Sequence, residues 1–271
     1  MVLNSFLGER RVCLMMLSHP DAMLQLRPTV MSLAQRWGHL FVRLFGFPIN
    51  PLTRMRARTV LSYLPKNNGK LLEIGCSFGV LAFELARRGY RVTGLDINAV
   101  SIELANKING ILKLNNVRFF NMDFIDNRFP AGEFDIVVTV EVLEHIKDDR
   151  RAIDEVYRVL KDDGVLIVSV PYAEITREYT TPVMSWRDSE GKSVTLGVPG
   201  ELHFRNGYNR EGLVSLLNSR GFKVVRCSYT SNFEILRKSM ILFPLCYIAA
   251  LVLSKLGGRR AKVTALAKKQ F

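Results

Sequence analysis

Between residues 70 and 170 short apolar runs alternate with stretches of helical periodicity, which restricts the chain to folds in which crossover helices join parallel strands. The spacing predicts strands over 70–74, 90–95, 117–121, 134–140 and 164–170, and helices over 79–88, 98–109 and 148–160. Ile136–Val140 and Val165–Val170 are almost continuously apolar, as expected of central strands covered by helices on both faces. The expected class is therefore α/β.

The flanks of this region differ from it. Residues 20–64 carry apolar side chains at helical spacing, broken at Gly46-Phe47-Pro48. After Pro171 come about forty irregular, polar residues, Tyr172 to Tyr208, too long for an ordinary connection and suited to an active-site cover. A helix over 209–219 starts at Asn209, a good N-cap, and stops at Gly221; Phe222 to Tyr229 is one more strand. Beyond Tyr229 only helix-like sequence is legible.

At 271 residues and 48% hydrophobic the chain can build a sizeable core. Its four cysteines form no C-x-x-C pair, which argues against a zinc knuckle or disulfide framework and for a reducing, cytoplasmic setting. The apolar run Val12–Leu17 is short for an export signal. The net charge of +13 is concentrated at the ends: ten Lys/Arg against two acids over residues 1–70, and eight against none over 237–271. Basic ends around a near-neutral middle suit docking to a phosphate-rich surface.

Leu71-Leu72-Glu73-Ile74-Gly75-Cys76-Ser77-Phe78-Gly79 closes the first expected strand and opens the first helix. Glycine at such a turn lets a ligand approach the backbone, and N–H groups at a helix start favour anionic or strongly polar groups. A dinucleotide fingerprint would place glycine at 75, 77 and 80; the chain has Gly75, Ser77 and Val80, so pyrophosphate binding is disfavoured. Asp96, seventeen residues beyond Gly79, ends the second strand, where a carboxylate can accept both hydroxyls of a ribose.

The run E-I-G-C-S-F-G, acids Asp96 and Asp123 at successive strand ends, then Phe134-Asp135-Ile136-Val137-Val138 and Glu141-Val142-Leu143-Glu144-His145, resemble the class I S-adenosylmethionine-dependent methyltransferases over residues 55–228. The resemblance implies a Rossmann-like, doubly wound, mainly parallel sheet, here with a helical N-terminal cover and a helical C-terminal tail. It implies S-adenosylmethionine as cofactor, with Glu73, Gly75, Cys76, Ser77 and Gly79 facing its amino-acid part. Asp96 with Ile97 would meet the ribose, Asp123 with Met122 and Phe124 the adenine, and Glu141 the cofactor side of the pocket. Ser77 stands where the family pattern has its middle glycine.

Glu141, Glu144 and His145 fall at i, i+3 and i+4, so one helical turn would put them on one face, where two carboxylates and an imidazole could share a divalent ion. E-V-L-E-H-I is similar to the E-x-x-E-H element of ubiquinone-pathway O-methyltransferases and small-RNA 2′-O-methyltransferases, in which such residues hold magnesium. The competing reading has Glu141 at the cofactor side, Glu144 capping a helix and His145 packing locally. Either way His145 can take a proton from a hydroxyl nucleophile. Its rival is His203, in Glu201-Leu202-His203-Phe204-Arg205, where relatives have a histidine lining the acceptor pocket; it could equally cap the following helix.

Met240–Leu253 is uncharged but interrupted by Pro244 and shorter than the ~20 apolar residues of a membrane span. With Arg259, Arg260, Lys262, Lys268 and Lys269 beyond it, its composition suits a helix lying on an anionic membrane surface more than a core helix. Nucleic acid fits less well, because these cations sit among leucine, valine and alanine rather than aromatics. The expected organisation is a helical extension over 1–54, a methyltransferase domain over 55–230 and an apolar, basic helical tail over 231–271. The expected activity is methyl transfer to a small amphipathic or lipid-linked acceptor, either a quinone precursor or an envelope saccharide or lipid, by a cytoplasmic enzyme peripheral on the membrane. A metal-dependent RNA 2′-O-methyltransferase and a cofactor-binding adaptor are the alternatives.

Overall fold

Strands that are apolar on both faces need helices on both faces, and the computed structural model of the chain supplies them. It describes residues 58–65, 68–174, 179–180, 184–187, 193–196, 202–231 and 260–270. Strands β1 (Lys70–Ile74), β2 (Arg91–Asp96), β3 (Val117–Asn121), β4 (Phe134–Val140) and β5 (Leu160–Pro171) run parallel in the order β3-β2-β1-β4-β5. Helices α1 (Val80–Arg87), α2 (Ala99–Leu112) and α3 (Asp149–Val159) are the crossovers. The alternation expected from periodicity is therefore the observed one, with ends displaced by a few residues.

Burial explains why these segments fold as they do. Leu71, Leu72, Val137, Val138, Leu166, Ile167 and Val168 are completely enclosed in the central strands. α3 turns Ala152, Ile153, Val156 and Val159 inward, one helical stripe, while Asp148 caps its start by accepting from the Arg151 amide at 3.0 Å.

The long connection after β5 is not irregular throughout. It contains β6 (Tyr179–Thr180), β7 (Met184–Arg187), β8 (Ser193–Leu196) and β9 (Leu202–His203), paired as β6 with β9 and β7 with β8. Its two ends meet, with Tyr172 bridged to Tyr208 and the Tyr208 amide donating to the Pro171 carbonyl at 2.8 Å. Helix α4 (Arg210–Ser219) then starts at Asn209 as expected, the Asn209 side chain accepting from the Gly212 amide at 2.7 Å. It buries Leu213 and Leu217 in the same core as Phe222.

The expectation of a wholly helical C-terminal tail is corrected over residues 260–269. After α4 the chain forms β10 (Phe222–Ser231), and Arg260–Lys269 is a strand, β11, antiparallel to both β10 and β5. The full order is β10-β11-β5-β4-β1-β2-β3. Alanine, lysine and leucine dominate this segment and favour a helix locally. The slot between two strands outweighs that preference, because it pairs the backbone on both sides and encloses Val263, Thr264, Ala265 and Ala267. Two of the cations assigned to a membrane are also engaged within the fold: Lys262 is ion-paired to Glu141, and Lys269 donates to the Leu160 carbonyl and lies 4.5 Å from the Tyr157 ring centroid. Met240–Leu253 lies outside the described residues. Deleting residues 260–271 should abolish cooperative thermal unfolding, since it exposes the inner edges of β5 and β10; a sharp transition near the parent Tm would contradict the strand's role.

The chain divides into two compact units, and Thr59–Ser185, Thr195–Asn232 and Arg259–Phe271 form the one that carries the seven-stranded sheet. The other, Met1–Arg58, Trp186–Val194 and Phe233–Gly258, falls largely outside the described residues. Among the described residues no helix is long and apolar enough to cross a membrane.

Candidate functional site

Strand order reverses between β1 and β4, and open α/β sheets bind ligands at the carboxyl ends of the strands flanking such a switch. The loop leaving β1 occupies that position. Gly75 has φ 71°, and a Cβ there would lie 2.2 Å from a Val142 methyl; Gly79 has φ 87°, and its Cβ would lie 2.7 Å from the Phe119 ring. Both positions therefore require glycine twice over, for conformation and for space. Ser77 adopts φ 49°, the left-handed conformation that glycine would take freely. That costs about 1–2 kcal/mol for a residue with a side chain. The Ser77 amide donates to Asp96 Oδ2 at 2.7 Å, a charge-assisted bond worth about 1.5–3 kcal/mol, enough to hold the loop.

Asp96 organises the site from the end of β2. Its Oδ2 receives the Ser77 amide and its Oδ1 the Asn98 amide at 2.9 Å, while Asn98 caps α2 through the Ser101 amide. The Asp96 carbonyl accepts from the Met122 amide and the Asn121 side chain, both at 3.0 Å, tying the end of β3 to the end of β2. Burial raises the Asp96 pKa, and the Asn98 and Ser77 amides oppose the rise. Beside it Ile97 is 53% exposed, an apolar surface next to a carboxylate. Asp123 is exposed, with Oδ1 accepting the Ile125 amide at 2.9 Å as the cap of a short 3-10 turn, Phe124–Asp126.

Glu73 is the unusual member. It is almost wholly buried, and its pKa is pushed up to about 8, first by desolvation and then by the charge of Asp96, against the Ala82 amide at the start of α1. Among the described residues its Oε2 has no hydrogen-bond partner. A buried, under-satisfied carboxyl beside a second carboxylate is a receptor for a cationic group. S-adenosylmethionine carries both an ammonium and a sulfonium, so the donor set fits it: Glu73 and the 75–79 loop toward the amino-acid part, Asp96 toward the ribose hydroxyls.

Two residues expected at the cofactor also touch the core. Phe124 belongs to the core cluster, because the 3-10 turn directs its ring inward, and Met122 packs partly against the same cluster. The Cys76 thiol is likewise enclosed, and burial together with the charges of Glu73 and Asp96 drives its pKa up; its backbone serves the loop, the amide donating to the Leu95 carbonyl at 2.8 Å.

On the other side of the switch point Glu141 leaves β4 with φ 57°, its amide donating to the Ser169 carbonyl and its Oε2 lying 2.6 Å from Lys262 Nζ. The expected helical turn is a 3-10 turn, Leu143–His145. Glu144 is buried, with Oε1 3.9 Å from His145 Nε2. The metal assignment is not supported: among the described residues no three such groups converge on a cation site, and Glu141 lies against Lys262 of β11. Catalysis should consequently survive excess chelator, measured as methyl transfer with and without EDTA; loss of turnover restored by magnesium would reinstate the metal.

His145 is partly buried, and desolvation lowers its pKa, with the Glu141 charge opposing. His203 lies in β9, paired in register with Tyr179, and β9 runs against the Leu143–His145 turn. The two histidine-bearing segments are thus neighbours although 58 positions separate them. Sequence reasoning missed Lys262, which it assigned to the tail, and the group Asp149, Arg205 and Tyr208 behind the His145 turn. No local pattern joins such distant residues.

A family model described as a methyltransferase domain matches residues 47–226. The ubiquinone biosynthesis O-methyltransferase of Actinobacillus pleuropneumoniae serotype 5b is 36% identical over 132 residues, covering 45% of this chain and 54% of that protein. The chain spans about half the length of the curated relatives it matches. Among solved structures, a SAM-dependent methyltransferase from Methanosarcina mazei matches with a TM-score of 0.54 at 22% identity, covering 79% of this chain and 97% of that one. Geranyl diphosphate C-methyltransferase from Streptomyces coelicolor A3(2) matches at 0.57 and 17% identity, covering 80% and 81%. These two likenesses show the shared fold. Fold, strand order, the family match over 47–226 and the acids at the strand ends agree, and the chain belongs to the class I S-adenosylmethionine-dependent methyltransferases.

Proposed function

We propose that the chain transfers a methyl group from S-adenosylmethionine to a hydroxyl oxygen of a small amphipathic acceptor of the quinone-precursor class. One observation carries this reading: the partly buried His145 stands at the carboxyl end of β4, across the switch point from the cofactor loop, with the His203 strand β9 running against its turn. When bound, S-adenosylmethionine supplies an electrophilic methyl, so the chain's tasks are alignment of the acceptor and removal of its proton. An imidazole whose pKa burial lowers suits the second task, because burial disfavours its charged form. The name of the ubiquinone-pathway relative supports oxygen as the atom methylated.

The acceptor reaches the site from an anionic membrane surface in this reading. Its support is the basic charge at both ends of the chain and the uncharged run Met240–Leu253. The RNA alternative rested on a three-ligand metal element that the Glu141–Lys262 pair disfavours.

The test uses methyl-labelled S-adenosylmethionine and a catechol bearing an alkyl chain. We expect label on a catechol oxygen, and a kcat about 10²–10⁴-fold lower in His145→Ala, the range for loss of a general base. Label recovered in added RNA and not in the catechol would overturn the reading. Co-sedimentation with phosphatidylglycerol vesicles should disappear on internal deletion of residues 240–253, with methylation of a short-chain catechol retained; unchanged sedimentation would remove the membrane from the proposal.

A further inference from the structure

The Arg205 side chain and backbone are spent on one short segment. Its amide donates to the Glu144 carbonyl at 3.3 Å, Nη1 donates to the Ile146 carbonyl at 2.8 Å, and Nη2 to the Lys147 carbonyl at 3.1 Å. These carbonyls bracket His145, belonging to the residue before it and the two after it. The remaining guanidinium nitrogen, Nε, lies 3.3 Å from Asp149 Oδ2, which also accepts the Tyr208 hydroxyl at 2.9 Å. Arg205 lies 5.9 Å from the centroid of the Tyr208 ring, and both members of the ion pair are at least four-fifths buried. Tyr208 is in turn held by its amide to the Pro171 carbonyl at the end of β5. The chain entering α4 is thus fastened to the turn after β4 by a planar donor with both ends fixed.

We propose that Arg205 is a positioning residue that sets the place of the His145 imidazole relative to the methyl donor; this rests on the reading of His145 as proton acceptor. A 3-10 turn of three residues makes few bonds of its own, and here the His145 amide bonds back to the Val142 carbonyl at 2.9 Å. Outside bonds must fix it. Arginine can meet two carbonyls and a carboxylate at once because its donors radiate in one plane; lysine, with one nitrogen, keeps the charge toward Asp149 but cannot span both carbonyls. A displacement of about 1 Å in a reacting group can cost ~100-fold in rate. The effect therefore belongs in kcat rather than in cofactor affinity.

The experiment uses the full chain with S-adenosylmethionine and the alkyl catechol as probes. Arg205→Met should lower kcat about 10- to 100-fold while leaving the Kd for S-adenosylmethionine within about twofold and the catechol KM within about threefold. Arg205→Lys should recover part of the loss. Amide hydrogen exchange over residues 143–147 should quicken in Arg205→Met, with β1 unchanged. If Arg205→Met does not fold, Arg205→Lys is read alone, and a kcat deficit of several-fold with faster exchange in the turn is expected. Wild-type kcat in the variants overturns the proposal. So does a parallel fall of kcat, cofactor affinity and Tm without recovery by lysine, which is the pattern of a merely structural anchor. Wild-type kcat in His145→Ala would sink the base assignment itself and the purpose of the clamp with it; inactivity of His145→Ala beside wild-type kcat in Arg205→Met would sink the clamp alone.

Discussion

Asp96→Ala should weaken S-adenosylmethionine binding by about 10²–10⁴-fold in a calorimetric titration, because two charge-assisted hydrogen bonds at about 1.5–3 kcal/mol each are lost. The carboxylate has a second duty. It holds the Ser77 amide at 2.7 Å and the Asn98 amide at 2.9 Å, so its removal also frees a loop residue kept at φ 49° and the entry to α2. Asp96→Asn separates the two roles. An amide oxygen can still accept one of these backbone bonds, so the loop should survive in part while the affinity for a diol falls. Binding in Asp96→Ala within tenfold of the parent would show that β2 does not end at the cofactor.

Glu73→Gln should flatten the pH dependence of stability. In the folded chain the Glu73 carboxyl titrates near 8, against an ordinary value of 4.5, with burial the main cause and Asp96 the second. Above 4.5 the unfolded chain has released a proton that the native state keeps. The contribution is therefore fully present below 4.5, declines as pH rises, and is lost once pH passes about 8. A shift of this size corresponds to a few kcal/mol at ~1.4 kcal/mol per pH unit. At about 2–4 °C per kcal/mol, the Tm of the cofactor-free parent should fall by roughly 10 °C between pH 5 and 8.5, other groups held equal, and that of Glu73→Gln much less. Parallel curves for the two proteins would remove Glu73 as the source. A cation placed against Glu73 favours its charged form, so cofactor binding near pH 7 should release a proton. Titrations in two buffers of different ionisation enthalpy read that proton, and Glu73→Gln should abolish it.

The parts of the fold legible in the amino-acid sequence are those written in short-range periodicity. Ile136–Val140 and Val165–Val170 read as strands enclosed on both sides, Asn209 as the cap of a helix, and the glycine-rich turn between strand and helix as backbone open to a ligand. The placement of Asp96 and Asp123 at neighbouring strand ends follows from the same alternation once the strands pair in order. Phe124 escaped this logic because a single 3-10 turn decides which of two adjacent side chains faces the core.

Strand periodicity, helix caps and glycine turns act over a few residues, and local sequence therefore suffices for the parallel α/β core and the cofactor loop. The remainder depends on contacts between distant elements. Alanine and lysine in Arg260–Lys269 favour a helix locally, and only the open slot between β5 and β10 makes that segment a strand. That strand brings Lys262 to Glu141, which places an ion pair where the sequence suggested a metal-ligand triplet. The chain entering α4 likewise brings Arg205 to the carbonyls around His145. Contacts of this kind depend on register between elements far apart in the chain, and no spacing rule along the sequence encodes them.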